Sequence, residues 1–341
     1  MNGLRAAAWR RVALCVLPLA GLTFLASMPV AARGDIYVLN FASAAGNGAE
    51  GTISQYSQSG QLMNPAVVSG LLDPRQMALS GQNFYVATTD PALNSTAQDI
   101  GQYTTSGVRV NAALISGTAT FPAGVNFVNS IAVSGSNIFV ANSDTGTVGE
   151  YSISGDTINA NLITGLNDPG GIAISGSQLF VANINGGTIG EYTLGATPGT
   201  IASSTPSLIS GLQNPTSIGI SGNNLFVASL FGPVGEYTTS GGMVHASLLS
   251  GLSGGSNFGF PTYFTQLAIS GSNLFLFDAN SGIIGEFTTS GETVKASLIS
   301  GLPGAPQAIV VSDSVPEPAS LALMVMGAGV LAARRRSRVL G

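Results

Sequence analysis

Five copies of one pattern, Ser-Gly-x-(Asn/Gln)-apolar-aromatic-apolar, occupy residues 80–86, 134–140, 175–181, 221–227 and 270–276. A sixth copy lacks its Ser and reads Gly34-Asp35-Ile36-Tyr37-Val38. The complete copies start 54, 41, 46 and 49 residues apart, near the length of one propeller blade. Every unit carries a second signature, apolar-small-(Gln/Glu)-aromatic, at 53–56, 100–103, 148–151, 189–192, 234–237 and 284–287. Six units predict six blades.

Within one unit the strands are readable. Residues 130–134 alternate as a short inner strand, 137–142 form the second, 147–153 the third and 159–164 the outermost. Runs rich in β-branched and aromatic residues between Gly, Ser and Asn favour strand over helix, so the fold class is all-β. The Ser-Gly, Asp-Thr-Gly and Asn-Gly-Gly pieces supply the positive φ that tight hairpins require. The chain ends predict closure. Residues 307–312 look like an inner strand with no second strand after them, and 34–38 look like a second strand with no inner strand before them. Together they complete one blade and remove the open edges of the ring.

The segments LFVANINGGTIGEY (179–192) and IFVANSDTGTVGEY (138–151) resemble the NHL and YVTN-type propeller families, and the likeness extends over the repeat region. It implies the fold, because such repeats occur in binding proteins and in enzymes alike. Propeller lactonases, of the kind these repeats resemble, hold a divalent cation with acidic and amide side chains. Here the channel-facing starts of the inner strands align as Gln76, Ser130, Gly171, Ser217, Gln266 and Gln307, with no carboxylate for a hard cation. No catalytic residue, metal or cofactor is therefore expected. The one histidine, His245, has no recognisable partner in sequence and reads as a surface residue. Glu150, Glu191, Glu236 and Glu286 recur at one blade position, which suits a structural role, since a catalytic site needs different residues converging once. Asn142, Asp144, Asn183 and Asp278 read as turn formers. A weak calcium loop at 278–282 lacks the remaining acidic ligands of a recognised loop.

The breaks in the repeat point to a site. From the outer strand to the next inner strand the link is six residues at 70–76, 165–171, 211–217 and 301–307, but thirteen at 117–130 and fifteen at 251–266. The long links carry Phe121 and Phe127 in one case and Phe258, Phe260, Tyr263 and Phe264 in the other. They precede blades three apart in a six-blade ring, so they are expected to face each other across one mouth. The connections 41–51 and 89–99 open on the same face. Two readings stay open: the aromatic rings plug the channel, or they offer flat faces to sugar rings of a matrix polymer such as exopolysaccharide.

The two ends read as addresses. Arg5, Arg10 and Arg11 precede the apolar stretch 12–26, and Val30-Ala31-Ala32 offers a cleavage site, so residues 1–32 are expected to be a signal peptide. The only cysteine, Cys15, lies inside it behind Leu14, where a lipoprotein signal needs a small residue. At the other end come Pro316-Glu317-Pro318, an uncharged run to Ala333, and Arg334, Arg335 and Arg336. As a helix the run 319–333 reaches about 22 Å against a hydrocarbon core of roughly 30 Å, a marginal span that the arginines would stop on the cytoplasmic side. The alternative is a buried terminal helix with a solvated basic tail. The string VPEPASLALMVMGAGVLAARRRSR (315–338) resembles the PEP-CTERM sorting signal in all three of its parts. The resemblance implies an exosortase-type processing enzyme as partner, a transient inner-membrane anchor, and a final place at the cell surface or beyond.

Removing both ends exposes the charge of the middle. Four basic residues (Arg33, Arg75, Arg109, Lys295) face fifteen acidic ones in 33–314, a formal net of −11 against −5 for the whole chain. So few cations cannot neutralise many phosphates, which excludes nucleic acid as a partner. The expected organisation is thus a signal peptide (1–32), a six-bladed β-propeller (33–314) and a sorting segment (315–341). The expected role is a non-catalytic exported binding or structural protein; the alternative is a secreted propeller hydrolase or lyase, lactonase-like, acting at the channel mouth.

Overall fold

The recurring apolar-aromatic-apolar triplet sets the architecture, because in a strand successive side chains point to opposite faces. The computed structural model describes residues 34–41, 50–89, 98–116, 128–230, 232–249, 266–278, 282–302 and 304–312, all within a unit spanning Arg33–Pro316. Among the described residues there is no helix, and 24 strands form six four-stranded antiparallel sheets.

The first blade holds β1 (Ile36–Phe41), β2 (Glu50–Tyr56) and β3 (Leu62–Leu72), and the second β4 (Gln76–Ser80), β5 (Asn83–Thr89), β6 (Gln98–Thr104) and β7 (Arg109–Ile115). The third holds β8 (Val128–Ser134), β9 (Asn137–Asn142), β10 (Thr147–Ser152) and β11 (Thr157–Ile163). The fourth holds β12 (Pro169–Ser175), β13 (Gln178–Asn183), β14 (Thr188–Leu194) and β15 (Ile201–Ile209). The fifth holds β16 (Pro215–Ser221), β17 (Asn224–Ser229), β18 (Val234–Thr238) and β19 (Met243–Leu249). The sixth holds β20 (Leu267–Ser270), β21 (Asn273–Asp278), β22 (Ile283–Thr288) and β23 (Thr293–Ile299). The last strand, β24 (Ala305–Val311), returns to the first blade and pairs with β1, Ile36 opposite Val311.

The structure thus confirms the closure expected from the orphan strands. Inner strands touch their neighbours in the order β24, β4, β8, β12, β16, β20 and back to β24, which makes the ring a six-bladed propeller. Asp35 and Ser312 fasten the junction: Ser312 N donates to Asp35 O at 2.9 Å, and Asp35 N donates to the Ser312 Oγ at 2.8 Å. Strand limits differ from the sequence reading by one or two residues. The inner strand of the third blade starts at Val128, and the outer strand runs Thr157–Ile163.

The core lies between blades. In each second strand the aromatic residue (Tyr37, Tyr85, Phe139, Phe180, Phe226, Phe275) packs toward the following blade, while the two apolar residues beside it pack toward the preceding one. Phe139, Phe180 and Phe275 have no exposed surface. Burying such a ring contributes about 1.5–3 kcal/mol. Tyr37 meets Phe84 edge to face, ring centroids 4.9 Å apart.

The third-strand signature has its own packing reason. Where five blades have Gly two residues before the aromatic, an added Cβ would lie 2.7–2.9 Å from that ring, which folds back over the glycine. The first blade places Ser54 there instead, and its hydroxyl donates to Pro65 O at 2.7 Å and accepts from Asn40 Nδ2 at 3.0 Å. Between third and outer strands the register shifts in all six blades. Such bulges twist the open outer edge and protect it from pairing with another chain.

Candidate functional site

Strands alternate in direction, so the links into the inner strands and the turns between second and third strands share one end of the ring, the mouth. Phe121, Phe127, Phe258, Phe260, Tyr263 and Phe264 lie outside the described residues, as do Pro316, Glu317, Pro318, Arg334, Arg335 and Arg336. The strands that follow the two long links, β8 and β20, stand three blades apart around the ring.

Three of the inner-strand positions aligned on the channel join neighbouring blades. Ser130 Oγ accepts Ile172 N of the next blade at 3.1 Å, and Ser217 Oγ accepts Leu267 N of the next blade at 3.3 Å. At Gly171 a Cβ would come within 2.8 Å of Ser217 Cα, so two inner strands touch backbone to backbone. Hydroxyl or glycine at this position joins blade to blade at the narrowest part of the ring. Gln76 and Gln266 are buried.

The repeated glutamates are structural. Glu150 Oε1 accepts Asn137 Nδ2 at 2.6 Å, Glu191 Oε1 accepts Gln178 Nε2 at 2.6 Å, Glu236 Oε1 accepts Asn224 Nδ2 at 2.7 Å, and Glu286 Oε1 accepts Asn273 Nδ2 at 2.7 Å. Each bond joins the third strand to the amide that opens the second strand. The first blade reverses the partners: Gln55 Nε2 donates to Asp35 Oδ2 at 2.7 Å. One acid and one amide are kept while the strands that carry them exchange. Glu150 also reaches the fourth blade, where Gly199 N donates to Oε2 at 2.9 Å.

His245 corrects the sequence reading, which gave it no partner. It lies opposite Glu236 in the β18–β19 pairing, and Nδ1 is 2.7 Å from the buried Glu236 Oε2. Its side chain is 60% exposed, so the imidazole caps a buried carboxylate from the surface. Asn142 is a turn former as expected, its Oδ1 accepting Asp144 N at 3.1 Å. In the weak calcium loop, Asp278 ends β21 and residues 279–281 lie outside the described residues. Among the described residues, His, Cys, Asp and Glu form no group of three or more able to hold a metal.

Sequence reasoning missed the residues that set up the inner strands at the mouth. Asp73, Asp168 and Asn214 have φ of 43°, 57° and 53°, and each precedes a proline that enters or adjoins an inner strand. Asp and Asn tolerate this left-handed conformation best among residues with a Cβ. The recurrent Asp/Asn-Pro pair was the available signal. Asp73 holds Arg75 through two contacts of 3.2 Å. Asp168 accepts Asn129 Nδ2 at 3.3 Å and Asn185 Nδ2 at 3.2 Å, tying the third blade to the fourth. Burial raises the Asp168 pKa above its usual value, and the Asn129 hydrogen bond opposes that shift.

Solved structures of low sequence identity share this fold. A nidogen/laminin complex aligns with TM-score 0.58 at 13% identity over 82% of this chain and 99% of that chain. A putative 6-phosphogluconolactonase from Bacteroides uniformis aligns with TM-score 0.57 at 11% identity over 82% and 100%. A functionally unknown protein from Desulfotomaculum acetoxidans aligns with TM-score 0.53 at 19% identity over 81% and 90%. At such identities the likeness establishes the propeller and nothing of activity. No curated protein sequence matches the chain. Residues 314–337, however, match the PEP-CTERM protein-sorting motif. The chain therefore carries a six-bladed β-propeller followed by a PEP-CTERM signal, which implies export and sorting by an exosortase-type system.

Proposed function

We propose that the mature protein is a non-catalytic propeller at the cell surface or in the extracellular matrix, binding exopolysaccharide or another matrix polymer at its mouth. Residues 1–32 direct export and are removed, 33–314 form the binding body, and 315–341 are the sorting device. Pro316, Glu317 and Pro318 mark the processing region for the exosortase-type enzyme. The segment behind them rests in the inner membrane for a time, with Arg334, Arg335 and Arg336 on the cytoplasmic side. Phe121, Phe127, Phe258, Phe260 and Tyr263 supply the flat apolar faces of the binding surface.

One observation carries this reading. The sorting motif begins at residue 314, two residues after Ser312, whose bonds to Asp35 complete the ring. Removing the tail leaves every blade whole. The non-catalytic part is supported by the recurrent acids, all four of which are bonded within the blades. Likeness to a putative lactonase favours no activity here, because it extends to the fold alone. The test compares cell fractions for the full chain and for a chain lacking 315–341. The expected result is surface retention of the first and free release or periplasmic accumulation of the second; equal retention of both would overturn the proposal.

A further inference from the structure

A cleft of about 610 Å³ opens between the third and fourth blades, within the size range of small-molecule sites. One wall is the end of β11 and the link after it; the other is the second-to-third turn of the fourth blade together with β15. Its floor is apolar, made by buried Leu162, Ile163 and Tyr192. Its rim is polar but neutral: Thr164, Asn167, Ser204 and Ser207 are exposed, and their side chains make no hydrogen bond to another described residue. No charged side chain lines the cleft.

The walls are fixed rather than loose. Asn183 bridges them, its Oδ1 accepting Asn167 N at 3.4 Å while its Nδ2 donates to Thr188 Oγ1 at 3.1 Å. Farther along, the longer hairpin of the fourth blade reaches back to the third. There Gly199 N donates to Glu150 Oε2, and Asn159 Nδ2 donates to Gly199 O, both at 2.9 Å. A rigid cleft with a greasy floor and a rim of open hydroxyl and amide groups matches a ligand with one apolar face and neutral hydroxyls around its edge. A pyranose ring has that form.

We propose that this cleft is a second carbohydrate subsite, taking one or two neutral hexopyranose units of a glycan. The inference deepens the glycan-binding reading above and shares its premise that the partner is a saccharide. It departs from that reading in the residues used and in charge. Uronic acid units are disfavoured, because the cleft offers no cation and the propeller carries a formal net charge of −11.

The test is titration calorimetry of the purified full chain with cellotetraose, maltotetraose, mannotetraose and galactotetraose, and with tetragalacturonate as the anionic arm. At least one neutral tetrasaccharide is expected to bind, and tetragalacturonate to bind more weakly. The Asn167→Ala/Ser204→Ala variant removes two rim groups without touching the floor and is expected to weaken binding about tenfold. Ser207→Trp, which fills the cleft from an exposed position, is expected to abolish it. Ser106→Ala/Ser240→Ala/Ser290→Ala, in the turns on the face opposite the mouth, is expected to leave tetrasaccharide binding unchanged, and the mouth variant Phe121→Ala/Phe258→Ala/Tyr263→Ala is assayed for polymer retention. Failure of all four neutral tetrasaccharides to bind the parent chain, or unchanged binding by both folded cleft variants, overturns the subsite. If those results coincide with loss of polymer retention in the mouth variant, the subsite fails while the mouth proposal stands. Tetrasaccharide binding lost only in the cleft variants, with no polymer retention by any chain, sustains the subsite and removes the mouth.

Discussion

On the face opposite the mouth, the turns between third and outer strands repeat almost residue for residue. Hydroxyl pairs recur in five of the six, as Ser57 with Ser59, Thr104 with Ser106, Ser152 with Ser154, Thr238 with Ser240 and Thr288 with Ser290, all 2.7–2.9 Å apart. The glycine that follows presses on the previous blade: at Gly60, Gly107, Gly155, Gly241 and Gly291 a Cβ would lie 2.0–3.0 Å from a neighbouring carbonyl oxygen. At the mouth the links change from blade to blade. Asp73 grips Arg75, Asp168 grips two asparagines of adjacent blades, and Asn214 donates to Ile184 O at 3.4 Å. Link glycines there, Gly70, Gly165, Gly211 and Gly301, face open space, while Gly146 and Gly187 in the second-to-third turns of the same end would bring a Cβ within 2.4 and 2.6 Å of Leu166 O and Leu212 O. The uniform third-to-outer turns hold neighbouring blades together, and the varied links leave positions free to acquire contacts with something else.

Both faces rest on the cores between blades. Phe139→Ala or Phe180→Ala empties an interface between blades and is expected to cost about 3–5 kcal/mol in denaturant unfolding. A loss under about 1 kcal/mol would mean that the cores between blades are not the main support.

Paired glycine substitutions sharpen the contrast. Gly155→Ala puts a Cβ 2.2 Å from Leu114 O at φ 95°, whereas Gly165→Ala meets nothing within 4 Å at φ 74°. The first is expected to cost about 2–4 kcal/mol and the second about 1, the left-handed backbone alone. Equal costs by thermal melting would erase the distinction between packed and open turns.

A smaller effect tests whether the repeated acid is structural. Glu286→Ala leaves Asn273 without its carboxylate and is expected to lose about 1–3 kcal/mol. Asn273→Asp/Glu286→Gln copies the reversed pair Asp35/Gln55 and is expected to recover most of that loss. No recovery in urea unfolding would show that the first blade's exchange depends on its own surroundings.

The smallest effect concerns Asp168. Its folded pKa is raised by burial, so the folded state binds the proton more tightly than the unfolded state does. Stability from this group is then present at low pH and declines as pH rises from the ordinary carboxylate value through the raised one. Asp168→Asn is expected to flatten that decline when melting is followed from acid to neutral pH.

Blades and closure were legible because they depend on local pattern. Alternation through 137–142 names the strand, and the unmatched strands 307–312 and 34–38 name the blade they share. The sorting tail was legible because its three parts are contiguous. What could not be read depended on neighbours distant in sequence. Ser130 bonds Ile172 across 42 residues, and Ser217 bonds Leu267 across 50, so residues aligned as channel lining serve as joints between blades. His245 gained its partner through the register shift between Glu236 and Tyr237, which no spacing rule supplies. The cleft draws its walls from two blades and has no motif of its own.

The central claim is that the mouth binds while the opposite face only supports. The most direct measurement is retention on purified exopolysaccharide of two folded variants matched in melting temperature. One is Phe121→Ala/Phe258→Ala/Tyr263→Ala at the mouth, and the other is Ser106→Ala/Ser240→Ala/Ser290→Ala on the opposite face. The account predicts that the first loses retention and the second keeps it; equal retention by both would contradict it.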